Sequence, residues 1–135
     1  MTFMEAIARQ EGFLVKGSLA QRRNNPGNIE QGPFAQSRGA LPPDKSRFAA
    51  WPTAEAGFIA MRDLLVSGYA GLTVAQAINK WAPSNENDTS TYVKNVCKWT
   101  GLTASTILTA EIIGQTDPTD EEVQAYVNRQ GGRRK

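Results

Sequence analysis

The sequence predicts a mainly α fold of the α+β kind, in which helices surround one small β-hairpin. Two observations carry the helices. Thr2-Phe3-Met4-Glu5 and Thr73-Val74-Ala75-Gln76 have the form of capping boxes, and apolar residues recur at helical spacing beyond Thr53. A third carries the hairpin. Gly17, Pro26, Gly27, Gly32, Pro33, Gly39, Pro42 and Pro43 break residues 15–50 into short pieces, two of which, 28–30 and 47–51, suit paired extended segments.

Taken in order, the first helix starts at Phe3, because Thr2 and Glu5 satisfy each other's backbone N–H groups. Phe3, Ile7 and Ala8 share its apolar stripe, Met4 and Glu11 stand at the edge, and Gly12 suits its end. Residues 34–45 read as the hairpin loop, with Arg38 and Lys45 in it. Thr53 opens a longer helix in which Phe58, Met61, Leu64 and Leu65 keep the period until Gly68. Thr73 opens another, with Val74, Ala77, Ile78 and Trp81 on one face and Pro83 ending it. After a polar loop at 82–88, a helix carries Tyr92, Val93, Val96, Cys97 and Trp99 and closes at Gly101. Residues 103–113 read as a short helix and a connection. Asp117-Pro118 suits the N-cap and first position of a last helix that buries Val123, Tyr126 and Val127. The chain reads as one domain over residues 1–130, followed by a basic, flexible tail at 131–135.

Composition excludes several chemistries. The chain has no histidine, which removes Ser-His-Asp catalysis and the usual zinc sites and leaves carboxylates as the acid–base groups. Cys97 is the single cysteine, so no intrachain disulfide forms, and its apolar neighbours make it a buried structural thiol. Lys and Arg number 15 against 13 Asp and Glu, a net charge of +2. That near balance implies no nucleic-acid partner, whereas mild basicity suits an anionic polymer such as a bacterial wall. No stretch reaches membrane-spanning length and no signal-peptide pattern is visible, so the expectation is a monomer made in the bacterial cytoplasm without an integral membrane segment. No metal or organic cofactor is implied.

The densest polar stretch is residues 22–30, Arg-Arg-Asn-Asn-Pro-Gly-Asn-Ile-Glu, a tight turn entering an extended piece. It follows a helix whose last turn carries Glu11 beside Phe13 and Leu14. A carboxylate at the negative end of a helix and against apolar neighbours is pushed towards its protonated form, as a general acid requires.

Four segments together resemble a known superfamily. They are the helix end Ala8-Arg9-Gln10-Glu11-Gly12-Phe13, the turn Asn24-Asn25-Pro26-Gly27-Asn28-Ile29, FAAWPTAEAGF at 48–58 and WAPSNENDTSTYVKNV at 81–96. In combination they look like the lysozyme-like peptidoglycan-cleaving proteins of phages and prophages, which include lytic transglycosylases, phage lysozymes acting as endolysins, and flagellar-type glucosaminidases. The resemblance covers residues 3–101. It implies a lysozyme-like helical domain with the small β-hairpin as one wall of a cleft, and Glu11 as the acid. The implied reaction is cleavage of the glycan strand of peptidoglycan between N-acetylmuramic acid and N-acetylglucosamine.

Phage lysozymes with a similar Glu-Gly start carry an aspartate and a threonine shortly afterwards, whereas residues 18–25 hold no acid and the next carboxylate is Glu30. That departure favours lytic transglycosylation with the single glutamate Glu11, Glu30 being a helper. The alternative is a hydrolytic muramidase using Glu11 plus Glu30. Transglycosylases of this kind have a Glu-Thr-x-x-Tyr-Val pattern, to which residues 86–93 are similar with extra residues inserted. Glu86, Thr89 and Tyr92 are therefore implied sugar contacts, together with Asn25 and Asn28 of the turn. Each has a plainer reading: Asn25 and Asn28 suit Asx bonds within their own turn, Glu30 a solvent-facing carboxylate, and Tyr92 a core position. Trp51, Trp81 and Trp99 suit the core, with one available to stack on a sugar. The implied partner is bacterial peptidoglycan, reached after release from the cell or as part of a virion. A reading of another class is a non-catalytic wall-binding or virion structural module, against which stands the joint presence of Glu11 and the polar turn.

Overall fold

Helices dominate the computed structural model, which describes residues 1–132. Among these residues the chain order is α1 (Phe3–Gln10), α2 (Leu19–Arg22), α3 (Pro33–Ser37), α4 (Ala54–Gly68), α5 (Val74–Trp81), α6 (Thr89–Thr100), α7 (Ala110–Ile113) and α8 (Glu121–Gly132). The mainly α class is as the sequence predicts, and the capping boxes do what their residues dictate. Thr2 Oγ1 accepts from the Glu5 N–H at 3.2 Å while Glu5 Oε1 accepts from the Thr2 N–H at 2.8 Å. Thr73 and Gln76 repeat the exchange at α5. Gly101 ends α6 at φ +77°, a left-handed conformation that glycine adopts without a Cβ penalty.

The helices pack into one core. α1 lies against α6, which also packs on α5, and α4 contacts α1, α7 and α8. Trp51, Phe3, Phe13, Phe58, Met61 and Leu65 are fully buried at its centre. Phe13 meets Phe58 edge-on at 5.3 Å, which seats the residues after Glu11 against α4. Among the described residues no helix is long and apolar enough to cross a membrane.

Three expectations need correction. The loop expected at 34–45 contains α3, which Pro33 opens at the first helical turn where its missing N–H costs nothing. The last helix starts at Glu121 rather than at Pro118. Glu5, fully buried on α1, accepts from the N–H groups of Thr119 and Asp120 at 2.7 Å each, holding them out of the helix, and Asp120 Oδ1 then caps Glu122 at 3.0 Å. Of the tail expected at 131–135, Gly131 and Gly132 belong to α8, while residues 133–135 lie outside the described residues.

The two pieces expected to form a hairpin do meet in antiparallel sense, but only through one bridge, Glu30 with Phe48. Side chains of the polar turn take over where a ladder would run. Arg23 Nε donates to the Phe48 carbonyl at 3.1 Å and its Nη2 grips both oxygens of Asp44 at 2.9 and 2.8 Å. Asn24 donates to the Trp51 carbonyl and Gln31 to the Phe48 carbonyl. Asn25 is 1% exposed, and its amide donates to the carbonyls of Ile29 and Ala49 at 2.9 Å each while its oxygen accepts from the Ile29 N–H at 2.9 Å. The segment is thus fixed by side chain to backbone bonds together with the backbone bonds beside the bridge, from the Gln31 N–H to the Arg47 carbonyl and from the Ala49 N–H to the Ile29 carbonyl, at 2.9 Å each.

Candidate functional site

Glu11 caps the C-terminal end of α1, and two hydrogen bonds hold its carboxylate. Tyr92 Oη donates to Oε2 at 2.7 Å, and Asn28 Nδ2 donates to Oε1 at 3.0 Å and to the Glu11 carbonyl at 3.1 Å. Both donors are themselves constrained. Asn28 sits at φ +47°, a region asparagine tolerates better than other side chains, so the turn aims its amide back at α1. Tyr92 is buried on α6; burial, then the neighbouring Glu11 carboxylate and its hydrogen bond, push the phenol far above its ordinary value. It therefore stays a donor throughout the neutral range.

Glu11 opens into a cleft of about 380 Å³ whose lining comes from two regions. One is the polar turn with the segment it grips, contributing Gly27, Asn28, Glu30, Arg47 and Phe48. The other lies around α5 and the loop after it, with Trp81, Glu86 and Asn87, joined by Tyr69 from the end of α4. The two regions touch at Gly27, where an added Cβ would stand 3.1 Å from the Trp81 ring, a contact tight enough that the ring would have to give by a few tenths of an ångström. Tyr69 packs edge-on against Trp81 at 5.5 Å, giving the cleft an aromatic floor.

The residues expected from sequence divide between the cleft and the scaffold. Glu11, Asn28, Glu30 and Glu86 line the cleft, and Tyr92 touches it through Glu11. Asn25 is a buried organiser of its own turn, as its plainer reading anticipates. Thr89 is buried too, and its hydroxyl donates to the Ala82 carbonyl at 2.7 Å, tying the start of α6 to the end of α5. Glu30 forms an exposed ion pair with Arg47 at 3.0 and 3.3 Å, and the guanidinium holds its carboxyl below the usual range. Of the three tryptophans, Trp51 is fully buried, Trp99 is half-buried under the Arg9 guanidinium at 4.4 Å, and Trp81 reaches the cleft.

Arg47, Phe48, Tyr69 and Asn87 also line the cleft, and sequence reasoning did not single them out. For Arg47 a signal existed: opposite charges at Glu30 and Arg47 fall on two segments that the turn pattern already pairs. Tyr69 gave none, being one tyrosine after a helix stop. What the arrangement offers chemically is one carboxylate held by two fixed donors at the edge of an open polar and aromatic cleft. Searches of protein-family models, curated proteins and solved structures find no match to this chain.

Proposed function

We propose that the chain cleaves the glycan strand of peptidoglycan between N-acetylmuramic acid and N-acetylglucosamine by lytic transglycosylation, with Glu11 as its one catalytic carboxylate. The observation that carries this reading is the set of hydrogen bonds from Tyr92 and Asn28 onto Glu11 within a cleft that is open, polar and partly aromatic. Sugars suit such a lining, because they present hydroxyls to polar side chains and an apolar ring face to aromatic ones.

In the reaction, the Glu11 carboxylic acid gives its proton to the glycosidic oxygen as the bond from that oxygen to C1 of the muramyl residue breaks. The 6-hydroxyl of the same residue then attacks C1, and the Glu11 carboxylate takes the hydroxyl proton. The product is a 1,6-anhydro end, and the acid is restored. Tyr92 and Asn28 position the carboxylate through both steps. A hydrolytic reading, in which Glu30 activates water, draws on the presence of Glu30 in the same cleft. Arg47 holds Glu30 in the ligand-free chain, so that reading requires the pair to open first.

Glu11→Gln is expected to lower clearing of purified wall by about 10²- to 10⁴-fold while the chain still melts cooperatively. A well-folded Glu11→Gln that still clears wall sinks the assignment. Mass spectrometry of the released muropeptides separates the chemistries: anhydro ends, lighter by one water, mark transglycosylation, and reducing ends mark hydrolysis. Wall binding without clearing by the parent chain would point instead to a non-catalytic module.

A further inference from the structure

Arg47 is the one cation among the described residues that line the cleft, and it shares that lining with the carboxylates Glu11, Glu30 and Glu86. Its guanidinium presents a planar fork to Glu30, with Nε to one oxygen at 3.0 Å and Nη2 to the other at 3.3 Å. Both side chains are 59% exposed, so the pair stands in solvent at the mouth of the cleft. The Phe48 ring, 5.2 Å from the guanidinium carbon, supports the group from the side. Glu30, first through its hydrogen bonds, and Glu86 at longer range raise the Arg47 guanidinium further above its already high ordinary value. An exposed pair of this kind contributes little net stability, because each partner loses only a little by exchanging the other for water or for a ligand.

We infer that Arg47 is a receptor for a carboxylate carried by the glycan, and that Glu30 occupies this receptor until the ligand displaces it. The inference rests on the reading of the cleft as a glycan site and specifies which glycan it takes. Away from Arg47 the ionisable groups of the lining are carboxyls and the Tyr69 phenol, so the preferred ligand is neutral along its length with an acid at one place. A muramyl residue meets that description and an N-acetylglucosamine residue does not, since muramic acid bears a lactyl ether ending in a carboxyl. In a denuded strand that carboxylate is free. In a stem-bearing strand it is amidated and the nearest carboxylates belong to the peptide, so both sources offer Arg47 the same chemistry. Glu30 then acts as an internal competitor that admits an acidic ligand and leaves Arg47 closed to neutral sugars.

The test is calorimetric titration in the Glu11→Gln background, which keeps the ligand intact, with three probes of equal length. These are a denuded muramyl tetrasaccharide, its stem-bearing counterpart and chitotetraose. At least one acidic probe is expected to bind roughly fivefold tighter than chitotetraose at low salt, and the margin shrinks as salt screens the exposed charges. Which acidic probe shows the margin names the source of the carboxylate. Arg47→Gln is expected to erase the margin. Glu30→Gln, which frees the guanidinium, is expected to widen it, a sign that structural damage at the cleft mouth would not produce. Equal binding of all three probes, unchanged by Arg47→Gln, overturns the inference and leaves glycan cleavage standing. Failure to bind any of the three overturns both.

Discussion

On the α5–α6 side of the cleft, Val74, Ala77, Ile78 and Val96 are fully buried and hold their positions by apolar contact. On the turn side, Arg23, Asn24, Asn25 and Gln31 hold backbone carbonyls of residues 29–51 through their side chains. Apolar packing is spread over many weak contacts, so it gives way by small steps when one methyl group is lost. A buried polar node is not divisible in that way. Removing one amide strips several buried groups of a hydrogen bond at once, and each loss adds its own cost. The cleft therefore joins a tolerant wall to a brittle one, and Glu11 takes one of its two donors from each: Tyr92 from the helices and Asn28 from the turn.

The sharpest way to break the comparison is Asn25→Ala. It removes three buried hydrogen bonds at once, orphaning the N–H of Ile29 and leaving the Ile29 carbonyl to the Ala49 N–H and the Ala49 carbonyl to Arg23 Nε at 3.4 Å, and urea titration is expected to show a loss of about 4 kcal/mol. A loss below that of a single apolar truncation would remove the distinction between the walls. Gly57→Ala comes next. In an open helix this change is mildly stabilising, but here the new Cβ would land on the Asn24 carbonyl oxygen and within 2.9 Å of Pro26 Cδ. We expect a cost of about 3 kcal/mol in the same titration, together with slower wall clearing as the turn is pushed off α4.

Glu5 tests whether a polar node on the helical side is equally brittle. Burial raises its carboxyl, but the N–H groups of Thr2 and Asp120, the Thr2 side chain and the Thr119 N–H outweigh that and leave it below its ordinary 4.5. A carboxyl depressed on folding stabilises the protein fully above its unfolded value and loses that contribution as pH falls through the folded value. Glu5→Gln is expected to cost about 2 kcal/mol at neutral pH. Its urea midpoint should fall less steeply below pH 4.5 than that of the parent; parallel acid limbs would show that Glu5 carries no such linkage. The smallest effect belongs to Ile78→Val, about 1 kcal/mol on the thermal melt, with wall clearing unaltered.

The same contrast decides what could be read from sequence. α1, α4, α5 and α6 announced themselves, because Thr2, Thr53 and Thr73 cap helices whose apolar positions recur with a long period. α2 and α3 have four and five residues, too few for any period to register, and α2 depends on Ser18 accepting from the Gln21 N–H. The start of α8 was misplaced because its governing residue, Glu5, is 115 positions away from Asp120. At the site, Glu11, Asn28, Glu30 and Glu86 were singled out from local chemistry and from a resemblance read in the sequence, and each reaches the cleft. Asn25 and Thr89 carry the same polar groups but point them inward, and the direction of a side chain in a turn is set by the fold around it. Residues such as Tyr69 enter the cleft only because α4 ends there.

Glu11 and Tyr92 stand 81 positions apart, one capping the end of α1 and the other on α6. Synthesis at about 5–20 residues per second delivers the carboxylate several seconds before the phenol that will hold it. A nascent or truncated chain that stops short of α6 thus carries the acid with one of its two donors missing. The pairing is made only when the late helix docks on the early one, so the site is assembled once α6 lies against α1.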